Sequence, residues 1–281
     1  MLTEPSDTDP WADLLDAVRA ACRDEDGQDP LDEAARLRLK HHGLTGSELW
    51  LADDAGFALA HDGGVDLAVA PASRRHGLGG ELATAALAGD DPVTAWSHGD
   101  HPAAQVLAER HGLRRARELW VMRLRSDAAL PDLVVPEGTT IRGYRPEDEA
   151  EVLRVNGAAF AHHPEQGSMD AADLAARMGE DWYDPAGLLV ADTGRGLSGF
   201  HWTKRHEAHL GEVYVVAVDP AAQGQGLGKV LTLAGLHHLR DAGLTEILLY
   251  VESDNAPAVR VYAGLGFGHA DSDTHVQYRR P

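Results

Sequence analysis

Val213-Tyr214-Val215-Val216-Ala217-Val218-Asp219-Pro220-Ala221-Ala222-Gln223-Gly224-Gln225-Gly226-Leu227-Gly228-Lys229-Val230-Leu231-Thr232-Leu233-Ala234 spells a strand, a turn and a helix in succession. Val213–Val218 is a continuous β-rich apolar run, the pattern of a strand covered on both faces. Asp219-Pro220 ends it, and Leu227, Val230, Leu231 and Ala234 then fall on one helical face. Between the two lies Gln223-x-x-Gly226-x-Gly228. Its glycines allow a tight turn and a close approach of backbone N–H groups, and the helix N-terminus adds partial positive charge, so the loop can hold a pyrophosphate. Two better-known phosphate loops are excluded. Gly224, Gly226 and Gly228 alternate, which breaks Gly-x-Gly-x-x-Gly; Gly228-Lys229 is followed by Val230, and Gln223 stands where a Walker loop needs its first glycine.

The same phrase occurs earlier in the chain. Ala68-Val69-Ala70-Pro71-Ala72-Ser73-Arg74-Arg75-His76-Gly77-Leu78-Gly79 matches Ala217–Gly228 at an offset of 149, and Asp100-His101-Pro102-Ala103-Ala104 with His111-Gly112-Leu113 matches Asp254-Asn255-Ala256-Pro257-Ala258 with Leu265-Gly266-Phe267 at an offset of 154. Two blocks in the same order, with a domain-sized period, predict a duplicated domain rather than a solenoid. The stretch Ser126–Thr140, with Pro131, Pro136 and Gly138, reads as a linker. The expected organisation is therefore a first domain over 1–125, a linker over 126–140 and a second domain over 141–281. The acidic stretch Asp24–Pro30 reads as a solvated loop inside the first copy.

In the second copy, a helical pattern through Val152, Val155 and Ala159 follows Tyr144-Arg145-Pro146-Glu147-Asp148. Strands are expected at Leu188–Ala191, Gly199–Thr203, Ile247–Val251 and His275–Tyr278, with a short helix at Pro257–Ala263. Gly243 stops the helix that the glycine turn opens. Helices interrupting one sheet give an α/β fold, and the first copy reads the same way with weaker signals.

Composition narrows the function classes. The chain has 281 residues, 43% hydrophobic and 25% charged, an ordinary globular mixture. Its 25 Lys and Arg against 45 Asp and Glu, a net of −20, argue against a nucleic-acid partner while leaving room for a local anion site. One cysteine, Cys22, allows neither an internal disulfide nor a thiolate zinc site and suits a reducing compartment. Met1–Pro10 is acidic without a signal pattern, and no apolar run approaches the ~20 residues of a membrane span, so a cytoplasmic chain with no membrane partner is expected.

The Q/R-x-x-G-x-G loop, followed by Asn255-x-x-Ala258-x-x-x-Tyr262-x-x-x-Gly266-Phe267, resembles the acetyl-CoA-dependent GNAT N-acetyltransferase superfamily. Gly211–Gly228, Tyr250-Val251-Glu252-Ser253-Asp254-Asn255 and Gly199-Phe200-His201-Trp202-Thr203-Lys204 resemble, within it, the mycothiol synthase family of actinobacteria. The resemblance covers nearly all of the second copy and, more loosely, the first. It implies two tandem GNAT domains, each a mixed central sheet flanked by helices. It also implies transfer of acetyl from acetyl-CoA to the cysteinyl amine of cysteinyl-glucosaminyl-inositol, a small thiol-sugar, by a monomer that needs no metal.

Acetylating an amine needs a neutral nucleophile, a stabilised oxyanion and a proton for the departing thiolate. Glu212, just before the expected central strand, can take the ammonium proton; a plain strand-end carboxylate is the competing reading, and the resemblance favours the base. Tyr262 is implied as the acid, against a core aromatic packed on Phe267. Backbone groups of Val216, Ala217 and Val218 are implied to bind pantetheine, Gln223, Gly224, Gln225, Gly226, Leu227, Gly228 and Lys229 the pyrophosphate, and Asn255, Ala256, Pro257, Ala258, Val259 and Arg260 the flank of the cofactor. Asn255 as a helix cap is the alternative. For the polyol end the resemblance points to Glu165, Lys204, Tyr250, Glu212 itself and, in the first copy, Glu33; charged hydrogen-bonding groups suit a hydroxyl-rich ligand.

The copies are not equivalent. Glu212 corresponds to Gly63 and Tyr262 to Ala108, so the first copy lacks both the base and the acid. It keeps a candidate pantetheine strand, Ala68, Val69 and Ala70, and a phosphate turn, His76, Gly77, Leu78, Gly79, Gly80 and Glu81. Acetyl-CoA binding without turnover is the expectation there. Sixteen histidines invite a metal reading, but His41-His42, His162-His163 and His237-His238 are adjacent pairs that do not converge, and His206-Glu207-Ala208-His209 is one residue short of the zinc-protease spacing. Two other functions stay open: a GNAT acting on a peptide N-terminus or an aminoglycoside, and a non-catalytic acetyl-CoA sensor.

Overall fold

A computed structural model gives the architecture and describes residues 2–3, 11–89, 91–125, 127–162, 166–206 and 208–281. The chain forms two compact units: Met1–Trp120, Glu252–Asp254 and Ala270–Pro281 make the first, and Val121–Val251 with Asn255–His269 the second.

The first unit contains β1 (Leu2–Thr3), α1 (Trp11–Asp26), α2 (Glu33–His42), β2 (Ser47–Ala52), β3 (Gly56–His61), β4 (Gly64–Val69), α3 (Leu78–Ala86), β5 (Val93–Ser97), α4 (Pro102–Arg110) and the start of β6 (Arg114–Leu124). Its strands are ordered β1-β2-β3-β4-β5, antiparallel except for β4 beside β5. Leu15, Val18 and Cys22 of α1 pack on Leu49, Phe57 and Leu59, the apolar stripe expected of an amphipathic helix on a sheet. Asp32 caps α2 by accepting from Ala35 N at 2.8 Å.

The second unit contains β7 (Thr140–Gly143), α5 (Glu149–Ala159), α6 (Ala171–Met178), β8 (Leu188–Asp192), β9 (Leu197–Arg205), β10 (Leu210–Val218), α7 (Leu227–Asp241), β11 (Glu246–Glu252) and α8 (Ala256–Gly264), and the last strand, β12 (Gly268–Arg280), leaves it for the first. The order is β11-β10-β9-β8-β7, with β10 parallel to β11 and the other neighbours antiparallel. Val152 and Val155 of α5 and Leu174 of α6 bury against Val190, Phe200, Trp202 and Val215 on one face, while Leu227 and Leu231 of α7 cover Ala191 on the other.

Three expectations need correction. The carboxy-terminal strand, read above as the end of the second copy, pairs antiparallel with β5, from Val276 opposite Ser97 to Arg280 opposite Val93. Tyr278 joins the core of Val65, Leu87 and Val93, and the Arg280 guanidinium donates to the carbonyls of Leu87, Asp91 and His111. The division between units accordingly falls at Trp120–Val121 and is not a single cut in the linker. The acidic stretch is solvated but not wholly a loop: Asp24–Asp26 end α1 and are exposed, while Asp26 holds Arg74 at 2.5 Å and the half-buried Asp29 holds Arg19 at 2.8 Å. The Arg74 guanidinium holds Asp26 below the ordinary carboxylate range; burial pushes Asp29 up, but Arg19 and the Leu31 N–H outweigh it and hold Asp29 below that range too. Finally, Val213–Val218 is not covered evenly on both faces, since Tyr214, Val216 and Val218 are only half-buried.

Candidate active site

The two halves of β10 have different neighbours. Its parallel register with β11 runs from Leu210 opposite Glu246 to Val213 opposite Leu249; beyond it, among the described residues, β10 continues its ladder on the β9 side alone, as far as Val218 opposite Gly199. The pairing with β9 is interrupted between Val213 and Val215, so an irregularity at Tyr214 marks the point where the strand turns away from β11. Val216–Val218 therefore present one backbone edge to a cleft.

The glycine turn closes the far end of that cleft. Gly224 and Gly226 have φ of +78° and +77°, the left-handed region that favours glycine. Gly226 is the N-cap of α7 and no side chain caps the helix, so its first-turn N–H groups remain for an anion. Gly228 sits under Val218; a Cβ there would lie 3.8 Å from Val218 Cγ2, an ordinary contact, so packing within the protein does not force glycine. Gln223 to Gly226 and Lys229 are exposed, while Leu227 is buried in the core.

Glu212 lies inside β10, not ahead of it, because the strand begins at Leu210. It is 4% exposed. Directly opposite in the β9 register stands Lys204, also buried, whose ammonium lies 4.6 Å from the Trp182 ring centre and 5.0 Å from that of Tyr214. Trp182 and Tyr214 themselves meet edge-on at 5.1 Å, giving a cation a two-walled aromatic seat. The carboxylate has a second neighbour that sequence reading considered only as a failed metal ligand: His206 Nε2 is 2.5 Å from Glu212 Oε2. A hairpin brings the two together, with His206 N donating to Leu210 O at 3.0 Å. The spacing His-x5-Glu across a predicted strand–turn–strand was the signal available in the sequence.

Tyr262 is on α8, half-buried, with its ring edge-on to Phe267 at 6.0 Å. The ring contact matches the core-aromatic reading, and burial pushes the phenol up to about 12, leaving it protonated at neutral pH. Asn255 does what a cap residue does: its side chain accepts from Ala258 N at 3.3 Å at the start of α8. Ala256, Pro257 and Arg260 are exposed around it, and Ala258 and Val259 are half-buried. Tyr250, on β11, is 42% exposed. Glu33 opens α2 in the first unit. Glu165 lies outside the described residues.

The first unit repeats the cleft. β4 and β5 share the parallel pair Gly64–Thr94, and β4 then runs on beside β3 to Val69. A cavity of about 930 Å³ opens there, lined by Ala68, Val69, Gly77, Gly79 and Gly80 on one wall and by Trp96 and His98 on the other. Gly77, at φ +92°, is the uncapped N-cap of α3. Of the residues expected here, Ala70, His76, Leu78 and Glu81 are not part of the lining; Leu78 packs toward Leu82 and Ala58, and His76 Nδ1 approaches Ser73 O at 3.4 Å. Among the described residues, no group of three or more His, Cys, Asp or Glu is placed to hold a metal ion, and no helix is long and apolar enough to cross a membrane.

Comparison with known proteins agrees with this geometry. The profile of the Acetyltransferase (GNAT) family matches residues 158–267, which span the cleft of the second unit. Among solved structures, a GCN5-related N-acetyltransferase from Sphaerobacter thermophilus superposes with a TM-score of 0.70 at 25% identity, covering 100% of this chain and 96% of that one. A tandem GNAT protein from the clavulanic acid biosynthesis pathway superposes with a TM-score of 0.71 at 19% identity over 99% and 97% of the two chains, so the doubled fold is shared. A mycothiol acetyltransferase of Nocardioides sp. is 57% identical over 292 residues, covering 96% of this chain and 98% of its own, and one of Actinosynnema mirum is 50% identical over 95% and 98%. Identity of that depth, running through both units and not only through the shared cleft, means that the chain belongs to the mycothiol acetyltransferase family.

Proposed function

We propose that the chain transfers acetyl from acetyl-CoA to the cysteinyl amine of cysteinyl-glucosaminyl-inositol, and that the chemistry belongs to the second unit. One observation carries the assignment of chemistry: a buried carboxylate, Glu212, sits where β10 parts from β11, opposite a buried lysine. The uncapped, left-handed start of α7 suits the pyrophosphate of acetyl-CoA, and the open edge at Val216–Val218 suits an extended pantetheine. Gln223–Lys229 and Asn255–Arg260 flank that path.

Glu212 takes the proton from the substrate ammonium, exposing the nitrogen lone pair to the thioester carbonyl. Backbone N–H groups of the open edge hold the oxyanion, the protonated Tyr262 phenol gives its proton to the departing thiolate, and the second proton lost by the acylated nitrogen restores the phenol. Lys204, Tyr250, Glu33 and Glu165 supply hydrogen bonds to the polyol. The first unit, with a cradle but with Gly63 and Ala108 in the places of base and acid, binds acetyl-CoA without turning it over. The chain acts as a cytoplasmic monomer.

Mass spectrometry of the full chain incubated with acetyl-CoA and cysteinyl-glucosaminyl-inositol, beside peptides and aminoglycosides, tests this. One N-acetylated thiol-sugar, absent with Glu212→Gln, is expected. Acetylation of the other amines alone would overturn the substrate, and acetyl-CoA binding with no acetylated amine would overturn the enzyme.

A further inference from the structure

A base buried among apolar strands has a difficulty of its own. Having taken a proton, Glu212 must lose it before the next turnover, yet its side chain is only 6% exposed. The charged groups on the flanking strands do not offer an exit: Lys204, opposite on β9, is cationic and enclosed by Trp182 and Tyr214, and Glu246 on β11 is engaged by Arg123 at 2.7 Å. One neighbour differs. The His206 imidazole touches Glu212 Oε2 through Nε2 at 2.5 Å and keeps 28% of its side chain exposed. An imidazole ring that joins a buried carboxylate to solvent has the geometry of a proton relay.

We propose that His206 is the proton outlet of Glu212, a positioning and relay residue that acts on the reaction through the carboxylate and does not touch the reacting atoms. The steps balance. The ammonium N–H bond breaks and a Glu212 O–H bond forms; that O–H bond then breaks as Nε2 of His206 gains the proton, leaving carboxylate and imidazolium. The imidazolium gives its Nδ1 proton to water, leaving Nε2–H donating to the Glu212 carboxylate; before the next transfer the part-exposed ring loses that Nε2 proton to water and takes one from water on Nδ1, so that one proton in all leaves the site. No co-reactant beyond water is needed. The hairpin that holds the ring, closed by His206 N donating to Leu210 O, fixes the distance on which the transfer depends.

The inference rests on the acetyl-transfer reading but not on the identity of the amine, and the test separates the two. Turnover of the full chain is measured with whichever amine of the panel is acetylated, for the wild type, His206→Ala, His206→Gln and Glu212→Gln, with and without added imidazole. His206→Ala is expected to lose about 10–100-fold in kcat with acetyl-CoA affinity unchanged, and imidazole is expected to restore at least part of that loss in His206→Ala but none in Glu212→Gln. His206→Gln can still donate a hydrogen bond to Glu212 but cannot relay a proton. Its kcat should fall with that of the alanine variant, so wild-type kcat in His206→Gln overturns the relay in favour of simple orientation. Absence of imidazole rescue in a His206→Ala protein that still binds acetyl-CoA overturns it as well. Acetylation of peptides alone would sink the thiol-sugar substrate and leave the relay standing or falling on these same variants.

Discussion

Lys204 and Glu212 face each other across the antiparallel pair β9 and β10, two buried opposite charges at one register position. Their neighbours differ. The ammonium is flanked by the rings of Trp182 and Tyr214, whereas the carboxylate is held by His206. On the function proposed above, the pair stands where a cationic amine is desolvated, with Glu212 as base and Lys204 as a substrate contact.

Lys204→Met removes the cation and keeps most of the stem. It is expected to lower kcat/KM about 10–100-fold, the range set by one charged hydrogen bond, chiefly through KM for the thiol-sugar. Isothermal titration should show acetyl-CoA affinity unchanged. An unaltered KM would place the polyol elsewhere.

Glu212→Gln keeps shape and hydrogen bonding while abolishing the base. A loss of about 10²–10⁴-fold in kcat is expected, with acetyl-CoA binding within a few-fold of the wild type. Single-turnover assays with pre-bound acetyl-CoA read the chemical step directly.

Tyr262→Phe should depress kcat while leaving substrate affinity in place. Burial raises this phenol to about 12 in the folded chain, above the unfolded value near 10. The folded state therefore binds more protons between those limits, and the stability contributed by the neutral phenol is complete below pH 10 and lost as pH rises toward 12. Urea unfolding of wild type and Tyr262→Phe at pH 9 and pH 11 should show the steeper decline in the wild type.

Gly226→Val and Gly77→Val each force a β-branched residue into a left-handed N-cap, at a strain of about 1–2 kcal/mol. Gly226→Val is expected to abolish activity. Gly77→Val should keep activity and lower the stoichiometry of bound acetyl-CoA from two to one, measured calorimetrically. Equal stoichiometry in wild type and Gly77→Val would leave the first unit without a cofactor role.

Gly235→Ala tests the packing beneath the cleft. The His201 ring lies on Gly235, and a Cβ there would come 2.0 Å from His201 Cε1; overpacking of this kind costs about 1–3 kcal/mol, seen as a lowered Tm. His201 is fully buried, its Nδ1 2.8 Å from Leu231 O, and burial lowers its pKa to about 4. The stability that neutral His201 contributes is present above pH 6.5 and lost as pH falls toward 4. A His201→Phe variant that keeps its fold should flatten that acid limb in thermal unfolding.

Much of the site was legible because its signals are short-range. The left-handed Gly226, the helix that follows it and the strand before it are encoded within about twenty residues, and turn chemistry and side-chain periodicity act over that distance. The asymmetry between copies was legible by comparing the chain with itself, whereas Glu212 and Tyr262 were singled out by the resemblance to the GNAT superfamily. His206 was not: its residue type was noticed but tested only against helical ligand spacing, whereas a hairpin places residues six apart side by side.

The sequence by itself determined the main elements of the second copy, the duplication, the two glycine turns and the copy that retains Glu212 and Tyr262, since each follows from local pattern or internal repetition. The tertiary structure alone decided that β12 completes the first unit, that Asp26 and Asp29 are ion-paired, and that Glu212 lies buried between a lysine and a histidine. Strand propensity says that a segment will pair but not with which partner, because the hydrogen-bonding edge of every strand is chemically the same. Only the packing of side chains from distant parts of the chain makes one pairing better than the rest.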